Sequence, residues 1–302
     1  MSETNRNAVK DVNGRLFAGE RLLVMVGLLG FALSAIIALY IGLNGAAVLP
    51  EGNLESAFSF DAAIGLFILS IAAIMPLSGL SSRKRAIIRW LFIQGTLYSY
   101  AAETIQHFRG INPRFTQAGT LADSIFGALF GLESLVIIVA TVLLAVPFFR
   151  KRQPETRPLL VLGIRYAFVS TMVAFAGGVW MIVLQGRYTG DAGNLIVLHG
   201  LGFHALQALP LLGWLLERAS TDGKIARTWI HAGSIAWILS ILLIAVQTVL
   251  GLSAFELTAL PVLAGVMLLI WLAAAAVSVH RLLKATDGAS LFNLLKDRGI
   301  QR

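Results

Sequence analysis

The sequence predicts an all-α membrane protein of eight transmembrane helices, arranged as two tandem four-helix halves with both termini in the cytoplasm. Three observations predict it. Apolar residues make up 57% of the 302 residues and charged residues only 13%, about half the charge of a soluble domain. Apolar windows of about 20 residues, enough to cross hydrocarbon as a helix, recur at 22–43, 62–80, 87–106, 124–149, 159–184, 195–216, 228–252 and 258–280. Finally, the basic residues between them are sorted. Of 24 Lys and Arg, only Arg109, Arg114 and Arg187 fall in the connections that would face outside, which places both ends inside.

A helix satisfies its own backbone where water is absent, and no alternating pattern of a β-barrel appears. Mean hydropathy is +0.79. The net charge of +8 sits in the inside loops as a topology signal and lipid-headgroup contact, so no nucleic-acid groove is expected. With no cysteine, disulfides, thiolate metal sites and cysteine nucleophiles are excluded.

In chain order, residues 1–21 read as a cytoplasmic segment, and the first span as a retained anchor rather than a cleaved signal. Spans one to four occupy 22–149, with a cytoplasmic linker at 150–158. Spans five to eight occupy 159–284. The tail 285–302 is cytoplasmic, and Ser290–Ile300 reads as a short interfacial helix. Two outside loops are long: 44–61, carrying Glu51, Glu55 and Asp61, and 108–123, where Asn112-Pro113 marks a turn. The loop from Arg187 to Asn194 reads as a plain turn.

A weak repeat links the halves. Pro76-Leu-Ser-Gly79 matches Pro210-Leu-Leu-Gly213, Arg89 to Gly95 matches Arg227 to Gly233, and Gln106-x3-Gly110 matches Gln247-x3-Gly251. The offsets of these matches drift from 134 through 138 to 141 residues. Two halves in the same orientation, related by an axis along the membrane normal, are expected.

Ionisable groups in hydrocarbon are costly and usually face a cavity, a ligand or each other. In span three, Thr96, Ser99, Tyr100, Glu103 and His107 recur at spacings of three and four, on one helix face. Span six supplies His199, His204 and Gln207, with Gly200 and Gly202 beside them, and span four supplies Glu133. Tyr100, Glu103, His107, Glu133, His199, His204 and Gln207 are therefore the expected lining of a ligand pocket. Neutral imidazoles suit axial ligation of a b-type heme, which makes His107, His199 and His204 the candidate ligands. A proton relay through Glu133 and His204 fits the same residues.

The run from His199 to Gly213, H-x4-H-A-L-Q-x-L-P-L-L-G, resembles a segment of certain multi-pass bacterial membrane proteins. Glu103 followed by Arg109-Gly110 resembles the same group, over roughly residues 100–215. Glu103 with His107, and Leu198 with His199, also resemble heme A synthase. That family implies eight spans in two halves and outward-facing heme histidines. Its ligands lie on even-numbered spans, whereas His107 lies on the third. Three readings stay open: a heme- or quinone-linked redox protein, a proton- or ion-coupled transporter of an unknown small molecule, and a non-catalytic assembly subunit. All three are placed in the cytoplasmic (inner) membrane.

Overall fold

The computed structural model describes residues 16–150, 157–219 and 221–299, with side chains given to residue 285. It divides into two compact units, 1–152 and 153–302. The first holds α1 (Arg21–Asn44), β1 (Ala47–Val48), β2 (Gly52–Asn53), α2 (Leu54–Ile74), α3 (Ser82–Phe108) and α4 (Leu121–Arg150). The second holds α5 (Pro158–Leu184), β3 (Tyr188–Thr189), β4 (Gly193–Asn194), α6 (Leu195–Arg218), α7 (Gly223–Val249) and α8 (Ala259–Gly299). All these helices except α3 are long and apolar enough to cross a membrane, so the chain is a multi-pass membrane protein of the all-α class.

The start of the second helix and both ends of the third recur in the two units at one offset. Helices α2 and α6 begin at 54 and 195, α3 and α7 begin at 82 and 223, and α3 and α7 end at 108 and 249. Each pair differs by 141. Of the three sequence matches, only Gln106 with Gln247 falls on this offset. Pro76 lies in the 3-10 turn Met75–Ser78, whereas Pro210 lies inside α6, so that match joins unlike positions.

A small device opens the second helix of each unit. A two-residue antiparallel hairpin pairs β1 with β2 and β3 with β4. Asn53 and Asn194 then cap α2 and α6, their side-chain oxygens accepting from Glu55 and Ser56 N–H and from Ile196 N–H respectively. This corrects two expectations. The second span starts at Leu54 instead of 62, because the cap fixes its first turn there, and Asp61 consequently belongs to a helix rather than a loop. The turn at 187–194 is the matching hairpin.

The third helix of each unit ends on the same staple. Gly110 and Gly251 both take the left-handed φ of 75°. Their carbonyls accept from Glu51 N–H at 2.8 Å and Ala192 N–H at 2.9 Å, which ties each hairpin to the end of α3 or α7.

Packing inside each unit relies on close backbones, as membrane helices require where burial gives little drive. A methyl group on Gly30 of α1 would lie 2.6 Å from Asp61 O of α2. One on Gly202 of α6 would lie 2.6 Å from Ala174 Cβ of α5. Ser34 donates to Phe58 O and Ser170 donates to Gly202 O, each at 2.9 Å across the helix pair.

Opposite the hairpin ends, Glu20 is fully buried and accepts from Arg85 Nε at 3.1 Å and Arg89 Nε at 2.7 Å. Glu217 accepts from Arg157 Nε at 2.6 Å and from the Leu159 and Leu160 N–H groups, capping α5. These three arginines are ion-paired within their own units. The tail is helical, as a continuation of α8 to Gly299. The apolar face expected for Ser290–Ile300 lies outside the described side chains.

Candidate functional site

In unit 1 the stripe on α3 is buried: Thr96, Ser99, Tyr100, Glu103, Gln106 and His107 are all at most 5% exposed. Its centre is Glu103. Arg114, from the α3–α4 connection, folds back so that its Nε donates to Glu103 Oε1 at 2.6 Å, and its terminal nitrogen pairs with the same oxygen. The guanidinium carbon lies 5.1 Å from the Phe60 ring centre and 5.5 Å from that of Phe130. Two aromatic faces therefore stabilise the cation.

His107 is hydrogen-bonded through one nitrogen. Its Nδ1 accepts from Asn53 N–H at 3.1 Å, so the proton of the neutral ring sits on Nε2. Nε2 stands 3.3 Å from Glu103 Oε2, out of line for a hydrogen bond.

Asp61 was read from sequence as a loop residue. It is completely buried, and its Oδ2 accepts from Thr104 Oγ1 at 2.9 Å. Asp61 Oδ1, Glu103 Oε2, Tyr100 Oη and Thr96 Oγ1 are buried with no hydrogen-bond partner. A methyl group on Gly30 would meet Tyr100 Cζ at 2.7 Å, so the phenol reaches the α1–α2 crossing. Glu103 thus pairs with the guanidinium and Asp61 is held by Thr104, while four polar atoms are left unsatisfied. Buried groups in that condition cost several kcal/mol unless a proton or ligand completes them.

Around this centre the polar contacts are closed. Asp123 accepts from Arg109 Nη1 at 2.6 Å and from Gln106 Nε2 at 3.1 Å. Glu51 clamps the connection that carries Arg114. Its carboxylate accepts from the Gln117 and Ala118 N–H groups at 2.8 and 3.0 Å and from Thr116 Oγ1. The Thr116 hydroxyl first, then the Gln117 N–H, holds the Glu51 carboxyl below its usual range. A lowered folded value stabilises the clamp above the unfolded value of about 4.5, and that contribution is lost as pH falls through the folded one. Glu51→Gln at neutral pH is therefore expected to speed amide exchange at Gln117 and Ala118 by about tenfold, for about 1.4 kcal/mol of lost protection. In the wild type, protection there should fall only below about pH 4.5. Unchanged exchange in Glu51→Gln would show that the loop is held by other contacts.

The expected pocket residues divide between the units. Tyr100, Glu103, His107 and Glu133 belong to unit 1; His199, His204 and Gln207 belong to unit 2. Glu133 accepts from Gln94 Nε2 at 2.7 Å and is half-buried. His199 Nδ1 lies 2.9 Å from Ala174 O, and its ring meets Phe203 edge-on at 4.6 Å. His204 is exposed, its Nδ1 3.4 Å from Gln207 Oε1. Among the described residues no three His, Asp or Glu side chains could hold a metal ion.

The offset of 141 supplies an internal comparison. Asp61, Tyr100, Glu103 and His107 correspond to Gly202, Ile241, Ile244 and Thr248. Ser99 and Gln106 correspond to Ser240 and Gln247, which are also buried. Two of the neutral polar groups are thus shared, while Asp61, Tyr100, Glu103 and His107 have no ionisable counterpart in unit 2.

Sequence reasoning missed Asp61, Thr104 and the pairing role of Arg114. One signal was available: Gly52-Asn53-Leu54 recurs as Gly193-Asn194-Leu195, a helix start that moves Asp61 inside. No known protein family, curated protein or solved structure matches this chain.

Proposed function

We propose that the protein spans the cytoplasmic membrane eight times with both termini inside, its hairpin ends facing out. In this reading it is a proton-coupled carrier of a small solute, and the Asp61–Glu103 pair is its proton-binding centre. The supporting observation is the asymmetry between the units. The same helix boundaries, hairpin and glycine staple form in unit 2 with Gly202 and Ile244 where unit 1 has Asp61 and Glu103. A fold that assembles without those carboxylates does not need them for assembly, and carboxylates are costly in hydrocarbon. This weighs against a purely structural seam. A heme reading is weakened at His107, whose Nδ1 is occupied by Asn53 N–H and whose Nε2 faces Glu103.

Vesicles containing the protein and an internal pH dye test the reading. Under an inward proton gradient, sugars, amino acids and monocarboxylates are added as separate classes. One class is expected to drive acidification at least about tenfold faster with wild type than with Asp61→Asn, since the variant has lost the proton-bound and proton-free states that coupling requires. If no class separates the two proteins, the carrier reading fails.

A further inference from the structure

Arg114 is the cation of a buried cluster, yet it is also that cluster's accessible edge. Its side chain is 27% exposed, while the Glu103 side chain that it holds is 0% exposed. Arg114 is thus the partly exposed member of the pair. The Phe60 and Phe130 rings at 5.1 and 5.5 Å give the cation apolar walls. We propose that Arg114 is a carboxylate-binding site for a small monocarboxylate with an apolar tail, and that protonation of Glu103 opens it. This inference rests on the carrier reading and names its substrate class.

The exchange balances. With Glu103 ionised, the guanidinium is neutralised by Glu103 Oε1, and an external anion would have to displace a fully buried partner. A proton added to Glu103, whose Oε2 lacks a hydrogen-bond partner, removes that counter-ion. The guanidinium then lacks a counter-ion, and a ligand carboxylate restores the pair in bidentate form. One proton and one anion enter together, so the buried net charge is unchanged. The apolar tail would lie against Phe60 and Phe130.

The other charged groups on the neighbouring elements are engaged. On α3, His107 is held by Asn53 N–H. On α2, Asp61 is held through Thr104. On α4, Asp123 is held by Arg109 and Gln106, and Glu133 by Gln94. On the hairpin, Glu51 is held by the 116–118 backbone and Thr116. Glu103 is the carboxylate that Arg114 contacts.

Equilibrium binding of radiolabelled benzoate and butyrate to the purified full-length protein in detergent tests this without transport. Glu103→Gln, a permanent mimic of the protonated acid, is expected to bind at least about tenfold more tightly than wild type at neutral pH, because it lacks the competing counter-ion. The charge-balanced double variant Glu103→Gln/Arg114→Gln should not bind. Folding of each variant is checked by helical circular dichroism and a monodisperse elution profile. Binding by the folded double variant, or binding to Glu103→Gln no tighter than to wild type, overturns the proposal. Proton-coupled flux of another solute class without benzoate or butyrate binding would defeat this inference and leave the carrier reading standing. Binding as described without flux would do the reverse.

Discussion

Replacing Arg114 alone by glutamine is expected to destabilise the folded protein by about 3–5 kcal/mol, the usual cost of stranding one member of a buried ion pair. Glu103 has no water to retreat to: its side chain is 0% exposed, and its second oxygen already lacks a hydrogen-bond partner. Glu103→Gln should cost less, because Arg114 is partly exposed and retains the Phe60 and Phe130 rings. The double variant should recover about 2 kcal/mol or more relative to the sum of the single losses. Denaturant unfolding in mixed micelles, followed by circular dichroism, gives all four corners of the cycle. Additive losses would mean that the two side chains do not depend on one another, whatever their separation.

Gly110→Ala should be the other severe change, at about 3 kcal/mol or more. Gly110 has a φ of 75°, which L side chains rarely adopt, and an added methyl group would overlap Leu49 O and sit 2.7 Å from Leu49 C. Backbone cannot rotate aside as a side chain can. The matching Gly251→Ala meets Gly190 Cα at 2.9 Å, a milder collision with the same dihedral penalty, so about 1–2 kcal/mol is expected. Unfolding midpoints for the two variants should fall in that order. Near-neutral behaviour of Gly110→Ala would show that the hairpin is not stapled to the end of α3.

How much of this was legible follows from what each signal measures. Apolar length and charge sorting report on lipid and insertion, so the long helices were readable to within a few residues wherever apolar composition and helix coincide. They failed at α2, where the helix opens with Glu55, Ser56 and Ser59. There the Asn53 cap sets the boundary and hydropathy does not. The stripe on α3 was readable because helical periodicity stacks Tyr100, Glu103 and His107. Its partners Asp61 and Arg114 come from other segments, and only tertiary folding brings a residue 42 positions upstream and another 11 downstream of Glu103 into one cluster. The repeat was half legible: similar short motifs at the ends opposite the hairpins were misleading, while the shared Gly-Asn-Leu start lay on the offset of the hairpins.

Helix α3 also bears on how such a chain is made. Alone among the described helices, it lacks an apolar stretch that meets the demands of a membrane span. Arg89 and Glu103 would each add about 2.5–3.5 kcal/mol to its transfer into lipid if placed near the helix centre. During synthesis, the residue that neutralises Glu103 follows it by 11 positions, and Phe130, which walls that residue, comes later still on α4. Insertion of α3 alone is therefore expected to be less favourable than insertion of α3 followed by its connection and α4, whereas α7, with Ile244 in place of the carboxylate, is long and apolar enough by itself.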